Sequence, residues 1–399
     1  TSFTETDLIH AYDGDWADST YWHDNHGFDP AVEYWSYEFY DKNERNRANL
    51  TQEIRLSMGS IILGGYFKHL IEQDKATGYL FGGVATDATS HYDFQATAGY
   101  AQYGLDLTSS FKLKANIRYE KNSIIYDGSS QGLNDYWEKI FLPPISFDID
   151  HAMIGYRTSL HYLKDKFTSF YGSVSQGYKS GGVNQQPFLS DASRPYEPEF
   201  IQNFEFGLKR AAHKYRTQFS AFYSQRNDQQ VSVSSQQDKE NPNSFLFYTG
   251  NAGSGTIQGF EWENTLNVSS NLNMDASLGY LTTWVDKFTY FAAEGVEAIG
   301  GDREAAMSPK MTGSVGFNYE NESGIFASAL MSFKDEYYFS DSHDQKSEPY
   351  FLLNLTLGKS FGKTTTTIWI RNAMDERYTT RGFYFGLIPP DYPDQLWKS

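Results

Sequence analysis

The sequence predicts an all-β fold, an antiparallel transmembrane β-barrel, and three observations support that prediction. Apolar and polar residues alternate along many segments, short turns alternate with long connections, and the chain of 399 residues carries 30 Tyr, 30 Phe and 8 Trp. A period of two places successive side chains on opposite faces of a strand. Aromatic residues suit strands and the interfacial girdles of membrane barrels.

The alternation is clearest in residues 111–120, where apolar residues stand at odd positions and polar residues at even ones. The apolar set is Phe111, Leu113, Ala115, Ile117 and Tyr119. Similar segments lie near 53–58, 92–100, 215–224, 311–319 and 351–358. They predict about 16 strands, many of about 10 residues, the length that a tilted strand needs to cross a bilayer.

The connections alternate between short and long. Short turns are predicted near 58–60, 108–110, 164–166, 211–214, 269–271, 320–323 and 360–363. Long loops are predicted near 13–49, 73–90, 121–150, 179–199, 225–255, 285–308, 335–349 and 379–399. This rhythm is typical of outer-membrane barrels with tight periplasmic turns and extended outer loops, so the long segments are expected to face outside.

Composition excludes several other classes of protein. The mean hydropathy is −0.58, and no run approaches the about 18 apolar residues of a membrane-spanning helix. The absence of cysteine rules out disulfides and thiolate metal sites. A net charge of −17 argues against a basic nucleic-acid-binding face.

Six stretches, in order along the chain, resemble the barrel of TonB-dependent outer-membrane receptors. They are Thr51–Leu56, Phe170–Asn184, Tyr196–Glu199 with Phe204–Lys209, Asn251–Gly253 with Ile257–Glu261, Ser308–Lys310, and Arg371–Tyr378. Their order and spacing carry the resemblance. Gly177, Gly181 and Gly182 are expected to permit bends or close backbone approach at the outer rim, and Asn372 and Asp375 to form a turn.

The resemblance implies a barrel of the 22-stranded type in the outer membrane of a Gram-negative bacterium. Residues 1–399 are then one partial barrel domain, with the plug, the first strands and the last strand expected outside this chain. It implies uptake of a scarce nutrient, such as an iron–siderophore or similar chelate, an oligosaccharide or cobalamin. The implied partners are the TonB–ExbB–ExbD complex, acting through the plug, outer-membrane lipid or lipopolysaccharide, and the cargo. No cofactor and no nucleic acid are expected.

Candidate cargo contacts lie in the predicted outer loops. Aromatic side chains there can stack on sugar rings or a planar chelate, and the alternative is an interfacial girdle. Arginines there can bind anionic cargo, and the alternative is an ion pair within an acidic loop or with lipid phosphate. The candidates are Trp16, Tyr21, Trp22, Tyr248, Tyr290, Arg226, Arg303 and Arg381.

Metal-binding and catalytic signatures are weak. His23 and His26 flank Asp24 in the tightest histidine cluster, which is a weak signature of a metal site. The alternative is an aromatic outer loop in which these histidines are incidental. Asp13, Asp15 and Asp18 lack the glycine and terminal glutamate of a calcium loop. No nucleophile elbow or phosphate loop is present, so no enzymatic activity is expected.

Two alternatives remain open from the sequence. A passive porin of 16 to 18 strands is compatible with the strand estimate of about 16. A soluble all-β carbohydrate-binding or adhesion module would also show alternating strands. The ordered motifs favour the receptor barrel over both.

Overall fold

The structure, a computed structural model, describes residues 1–13, 23–24, 40–80, 85–133, 139–185, 189, 191–236, 245–293, 296–341, 344–388 and 392–398. Its strands are β1 Ser2–Asp13, β2 Tyr40–Met58, β3 Ile61–Leu80, β4 Ala85–Asp106, β5 Phe111–Leu133, β6 Lys139–Phe141, β7 Ile145–Asp165, β8 Thr168–Lys179, β9 Gly182–Val183, β10 Pro195–Tyr196, β11 Glu199–Ala211, β12 Tyr215–Gln236, β13 Phe245–Asn267, β14 Leu272–Val285, β15 Phe288–Ala293, β16 Val296–Gly300, β17 Met311–Glu320, β18 Ile325–Lys334, β19 Tyr350–Phe361, β20 Thr364–Ile370, β21 Gly382–Ile388 and β22 Tyr392–Lys398. A 3-10 turn spans Asp191–Ser193. No helix in these ranges is long and apolar enough to cross a membrane.

One antiparallel sheet of 16 strands dominates the described residues. Its order is β1-β2-β3-β4-β5-β7-β8-β11-β12-β13-β14-β17-β18-β19-β20, with β6 beside β5. The other strands form three separate pairs, β9 with β10, β15 with β16 and β21 with β22. The sheet is a meander, and the all-β prediction with about 16 strands is confirmed.

Seven turns of two to four residues lie at one end of this sheet. They join β2–β3, β4–β5, β7–β8, β11–β12, β13–β14, β17–β18 and β19–β20. Because consecutive strands run antiparallel, all seven turns lie at the same end of the sheet, here called the turn end. The predicted alternation of short and long connections is therefore confirmed.

Three of the predicted outer loops are wrong in one respect, because most of their described length is strand. Segment 73–90 is the paired end of β3 and β4, and segments 121–150 and 225–255 are largely extensions of β5, β7, β12 and β13. These strands have 20 to 23 residues, which at about 3.3 Å per residue is far longer than a bilayer requires. Polar sequence can form hydrogen-bonded strand pairs in water as well as loops. Composition therefore could not distinguish an outer loop from a strand that extends beyond the membrane.

The register assigns the two faces of the sheet. On β5, Ile117 and Tyr119 are 54 % and 52 % exposed, whereas Arg118 between them lies on the other face in contact with protein. The same outward face carries the apolar residues of β17 and β19. The alternation read from the sequence thus separates an apolar outward face from a polar inward face.

Stacked aromatic rings run across the outward face near the turn end. The ring centroids of Phe111 and Tyr162 are 4.7 Å apart, those of Tyr162 and Phe170 6.2 Å, and those of Phe170 and Phe206 6.4 Å. Beyond Tyr119 most outward residues of β5 are polar, although Ile125 is exposed there, and the first of them, Lys121, forms an ion pair with Asp150 at 2.8 Å. The apolar band and its aromatic row fit a membrane-spanning zone below a water-exposed extension.

Inward side chains contact strands that are not their neighbours. The guanidinium of Arg118 on β5 lies 5.1 Å from the ring centroid of Tyr66 on β3, and its Nε donates to the hydroxyl of Tyr178 on β8 at 3.1 Å. Contacts over an intervening strand fit the concave side of a sheet that bends towards a barrel. The polar face is therefore the inside of a curved wall.

Glycines on this wall leave room for aromatic rings. A Cβ at Gly64 would stand 2.0 Å from the Tyr100 ring, so Tyr100 lies across the bare backbone of the adjacent strand. There its hydroxyl accepts from Nε of Arg55 at 3.2 Å and donates to Glu53. The ring covers a site without a side chain and joins β2 to β4 over β3.

The C-terminal motif forms the predicted turn. Asn372 and Asp375 have φ of 50° and 53°, the left-handed region in which Asn and Asp are favoured. The Asn372 side chain donates to the carbonyl oxygen of Glu376 at 2.9 Å and accepts from its N–H at 3.0 Å. The prediction of turn chemistry is confirmed.

Candidate functional site

A cavity of about 330 Å³ lies on the inward face, among the extensions of β2 to β5 and β7. Its polar lining includes Asp41, Asn43, Arg45, Asp74, Tyr126 and Gln185. The register places Arg45 opposite Asp74 on the same inward face as Arg118, well beyond the apolar band. This position is inside the curved wall and on the side away from the turns.

The positive charge in this cavity is already compensated. Arg45 donates from Nε and Nη2 to the two carboxylate oxygens of Asp74, at 2.7 Å each, and Glu72 lies 3.4 Å from its Nε. The hydrogen bond to Asp74 is the main reason that the pKa of Arg45 is raised. Glu72 also accepts from Nε of Arg47 at 2.6 Å. An anionic ligand would have to compete with these carboxylates.

The polar lining also holds groups with spare capacity. Asp41 and Asn43 line the cavity, and in the part of the chain that the structure describes neither side chain has a hydrogen-bond partner. Burial raises the pKa of Tyr126 to about 12, so its hydroxyl stays protonated at neutral pH. The cavity therefore offers the side chains of Asp41 and Asn43 as acceptors, together with the protonated hydroxyl of Tyr126, to a ligand rich in hydrogen-bond donors.

A segment between β8 and β11 folds back against the inward face. The inner strap is defined here as Gly181–Gln185, Leu189 and Asp191–Tyr196. Asn184 fastens it, because its side-chain oxygen accepts from the N–H of Thr249 at 2.8 Å and its Nδ2 donates to the carbonyl oxygens of Thr249 at 2.8 Å and Arg194 at 3.1 Å. The strap thereby holds Gln185 at the cavity.

The strap lies close to the wall because its first two residues are glycines. A Cβ at Gly181 would stand 2.3 Å from the Tyr196 carbonyl oxygen and 2.6 Å from Cε1 of His151, and one at Gly182 would meet the Tyr196 hydroxyl. The predicted close backbone approach is confirmed at these two positions. At Gly177 the nearest neighbour is Ile201 Cγ2 at 3.3 Å, a looser contact.

His151 is the buried titratable group beneath the strap. Its side chain is 6 % exposed, Nδ1 has no partner among the described residues, and Nε2 lies 3.9 Å from Glu197. Burial lowers its pKa more than the carboxylates of Glu197 and Asp150 raise it. A neutral imidazole therefore fits this position.

Arg226, predicted as a cargo contact, lies on the inward face of β12 in an ion pair. Its Nε donates to Glu199 at 2.6 Å, and the second oxygen of Glu199 accepts from the N–H of Gln230 at 2.9 Å. Both side chains are largely buried. This ion pair joins two strands and fixes the end of β11 to β12.

Tyr248 and Tyr290 pack against an apolar cluster rather than forming a membrane girdle. The cluster consists of Val231, Val233, Ala252, Val285 and Phe288, from β12, β13, β14 and β15. It lies in the strand extensions, so the hairpin β15–β16 is held on the barrel extension by a small core of its own.

Arg303 contacts the segment that follows β18. It pairs with Asp344, donates from Nη2 to the Ser340 carbonyl oxygen at 2.5 Å, and lies 4.6 Å from the ring centroid of Tyr338. Arg381 is exposed. These two of the predicted arginines lie at the end of the sheet opposite the turns, and Arg303 packs there against the segment after β18.

The remaining predicted residues fall mostly outside the described ranges. Trp16, Tyr21, Trp22 and His26 are among them, as are Asp15 and Asp18. His23 is described, and its Nδ1 lies 3.0 Å from Asp24 Oδ1 with both side chains exposed. In the described part of the chain no group of three metal-ligating side chains occurs.

Sequence reasoning missed the cavity residues Asp41, Asn43, Arg45 and Asp74. They stand in stretches taken as loops, and only the pairing of β2 with β3 brings them to one face. The available signal was the even spacing of Arg45 and Arg47 from Glu53 and Arg55, because residues separated by an even number of positions share one face of a strand.

A family model described as TonB dependent receptor-like, beta-barrel matches residues 1–373. The Pesticin receptor of Yersinia pestis is 22 % identical over 314 residues, which is 75 % of this chain and 42 % of the relative. The Pesticin receptor of Yersinia enterocolitica is 21 % identical over 325 residues, with the same coverage of 75 % and 42 %. This chain thus spans less than half the length of these curated relatives.

Solved structures share the fold. The ferric yersiniabactin uptake receptor from Yersinia pestis superposes with a TM-score of 0.69 at 17 % identity, covering 90 % of this chain and 53 % of that one. A copper transporter gives 0.67 at 12 %, covering 94 % and 56 %, and the unliganded ferric citrate transporter gives 0.62 at 12 %, covering 91 % and 54 %. The chain corresponds to about half of each.

Proposed function

This chain belongs to the TonB-dependent receptor family, in its β-barrel part, and we propose that it forms the outer-membrane wall of a receptor that takes up a ferric chelate. The observation that carries the proposal is the continuous meander with an apolar outward band, matched by the family model over residues 1–373. The relatives add support, since they are named as receptors for pesticin, ferric yersiniabactin and ferric citrate.

The barrel wall binds the cargo and encloses the path along which it passes. Cargo enters from the side of the strand extensions and meets the inward cavity near Asp41, Asn43 and Gln185. Trp16, Tyr21, Trp22 and Arg381 remain proposed contacts at the outer end. The TonB–ExbB–ExbD complex supplies the energy through a plug, and the barrel performs no chemical step.

The test is uptake of radioactive iron by cells that express the full-length receptor. A deletion strain, loaded with a panel of ferric chelates under iron limitation, is expected to lose uptake of one chelate, and a strain without TonB to lose the same uptake. Mass spectrometry of ligand retained by the purified receptor identifies the chelate. Unchanged uptake of every chelate in both strains would contradict the proposal.

The passive porin is the second candidate, and measurements of conductance distinguish it from the receptor. A porin would give open single channels when the full-length protein is reconstituted in a planar bilayer, and its solute flux would persist without TonB. The family membership favours the receptor. It gives no support to the soluble adhesion module.

A further inference from the structure

The ionic balance of the inward cavity is negative. Among its described lining residues the charged side chains are Asp41, Arg45 and Asp74, two carboxylates against one guanidinium. Arg45 is committed to Asp74 through two hydrogen bonds of 2.7 Å. This pair is neutral as a whole, so the carboxylate of Asp41 leaves the cavity with an excess negative charge.

The charged groups around this pair do not neutralise Asp41. Glu72 bridges Arg45, at 3.4 Å, and Arg47, and its side chain is only 12 % exposed. Together with Asp74 these residues form a group of two cations and two anions without net charge. An anion that bound either guanidinium would have to displace a largely buried carboxylate and leave it without its charge partner.

Other basic side chains of this region lie outside the cavity lining. Lys42 and Lys75 are each one position from an inward carboxylate on the same strand, so their side chains lie on the outward face. On the inner strap, Arg194 pairs with Asp191. In the part of the chain that the structure describes, the cavity lining thus has no cation beyond the paired Arg45.

Uncharged lining groups add hydrogen-bond acceptors beside Asp41. Asn43 follows on the same face of β2, about 6.6 Å along the strand, and its side chain has no hydrogen-bond partner among the described residues. One ammonium or guanidinium group can therefore donate to the Asp41 carboxylate and to the Asn43 amide oxygen together. Gln185, which the strap holds at the cavity, supplies a further amide.

Buried walls strengthen the effect of this charge. Leu80, Tyr126 and Ile145 line the cavity and are buried. Walls of low dielectric constant focus the field of a charge into the space that they enclose. A cationic group that enters the cavity is attracted, and an anionic group repelled, more strongly than at an exposed carboxylate.

We propose that this cavity binds a cationic arm of the transported chelate, a protonated amine or a guanidinium, between Asp41 and Asn43. The receptor then favours ferric chelates that carry such an arm over chelates whose surface is anionic. The inference rests on the proposed function, which it deepens by naming the class of chelate.

The first test measures uptake of radioactive iron by cells that express the full-length receptor and lack other receptors for ferric chelates. The probes are a ferric trihydroxamate and a ferric tris-catecholate, each with a terminal primary amine, their N-acetylated forms, and ferric citrate. Acetylation removes the positive charge and leaves the iron coordination unchanged. For a transported amine-bearing chelate, the N-acetylated form should be taken up at least about tenfold more slowly at limiting concentration.

The second test uses a pair of matched variants of the purified full-length receptor. Asp41→Asn removes the charge of the cavity and keeps its shape, so it should bind the transported amine-bearing chelate about tenfold more weakly by calorimetry and the N-acetylated form equally well. Asp148→Asn is the control, because Asp148 is exposed on the outward face of β7. This variant should bind both forms as the unchanged receptor does.

The outcomes separate this inference from the proposed function. Equal uptake of amine-bearing and N-acetylated forms, uptake of ferric citrate alone, or equal losses in Asp41→Asn and Asp148→Asn would overturn the cationic arm while leaving chelate uptake intact. Absence of uptake from every probe would contradict both.

Discussion

Single residues connect neighbouring strands where the main chain alone does not. Tyr100 crosses Gly64 to reach Glu53 and Arg55. Glu199 links Arg226 to the backbone of β12. In each case a glycine backbone or a buried carboxylate makes a small number of defined contacts, so a substitution there should disturb those contacts and few others.

Gly64→Ala is expected to destabilise the barrel by about 1–3 kcal/mol, the range for overpacking. The added Cβ would overlap the Tyr100 ring and break its contacts with Glu53 and Arg55. The measurement is thermal unfolding in detergent, followed by heat-modifiable mobility. Gly65→Ala is the control, since its Cβ would have nothing within 4 Å; an equal loss in both variants would contradict the steric reason.

Glu199→Gln is expected to cost about 3 kcal/mol, because removing one partner leaves a largely buried guanidinium at Arg226 without its charge partner. Lys287→Gln breaks an exposed pair with Asp302, 3.3 Å long, and is expected to cost less than about 1 kcal/mol. Chemical unfolding of both variants provides the comparison. Similar costs would mean that burial does not set the strength of these pairs.

His151 gives a pH dependence with a definite sign. Because burial lowers its folded pKa below the ordinary histidine value of 6.5, the unfolded chain takes up the proton first, and stability falls as the pH drops below about 6.5. His151→Asn should flatten this part of the stability curve relative to the unchanged protein. Parallel curves for the two proteins between pH 7 and 5 would show that His151 is not responsible.

The elements differ in what stabilises them. The strands near the turn end are held by ladders within an apolar band, whereas the hairpin β15–β16 is held by packing on the cluster around Phe288. The inner strap is held by side-chain bonds from Asn184 to the β13 backbone. Extensions outside the membrane thus carry their own small cores.

Phe288→Ala is expected to release the hairpin β15–β16 while leaving the barrel intact. Phe288 is 7 % exposed, and deleting a buried phenylalanine ring costs about 3–5 kcal/mol, more than so short a hairpin can lose. Hydrogen exchange should quicken in residues 288–300. Thr289→Ala, on the exposed side of the same strand, should show no change, and faster exchange throughout the barrel would contradict a local core.

The whole molecule is a curved wall with two chemically different faces. Its outward face carries the apolar band near the turn end, whereas its inward face carries the polar and charged side chains that join neighbouring strands, with buried apolar residues such as Ile124 and Met153 between them. The orientation expected for such a barrel places the turns in the periplasm and the extensions outside.

Leu355→Arg and Thr356→Arg test this assignment of the two faces. Leu355 is outward within the band, about midway up, and Thr356 is inward. An arginine at the bilayer midplane costs about 2–4 kcal/mol on the lipid face, so Leu355→Arg should lower the amount of assembled protein and Thr356→Arg should not. The measurement is the yield of folded protein in outer-membrane fractions, and the reverse ranking would invert the two faces.

The sequence by itself determined the fold class, the alternating faces, the position of the short turns and the family, because each depends on local spacing. Residues 111–119, the turn at Asn372 and the glycines at 181 and 182 behave as their sequence predicts. Only the tertiary structure decided that three of the supposed outer loops are strand extensions, that Arg226 and Tyr248 pack within the protein, and that Arg45 meets Asp74. Those outcomes depend on which strands pair and in what register, and pairing joins residues too far apart for local spacing to reveal.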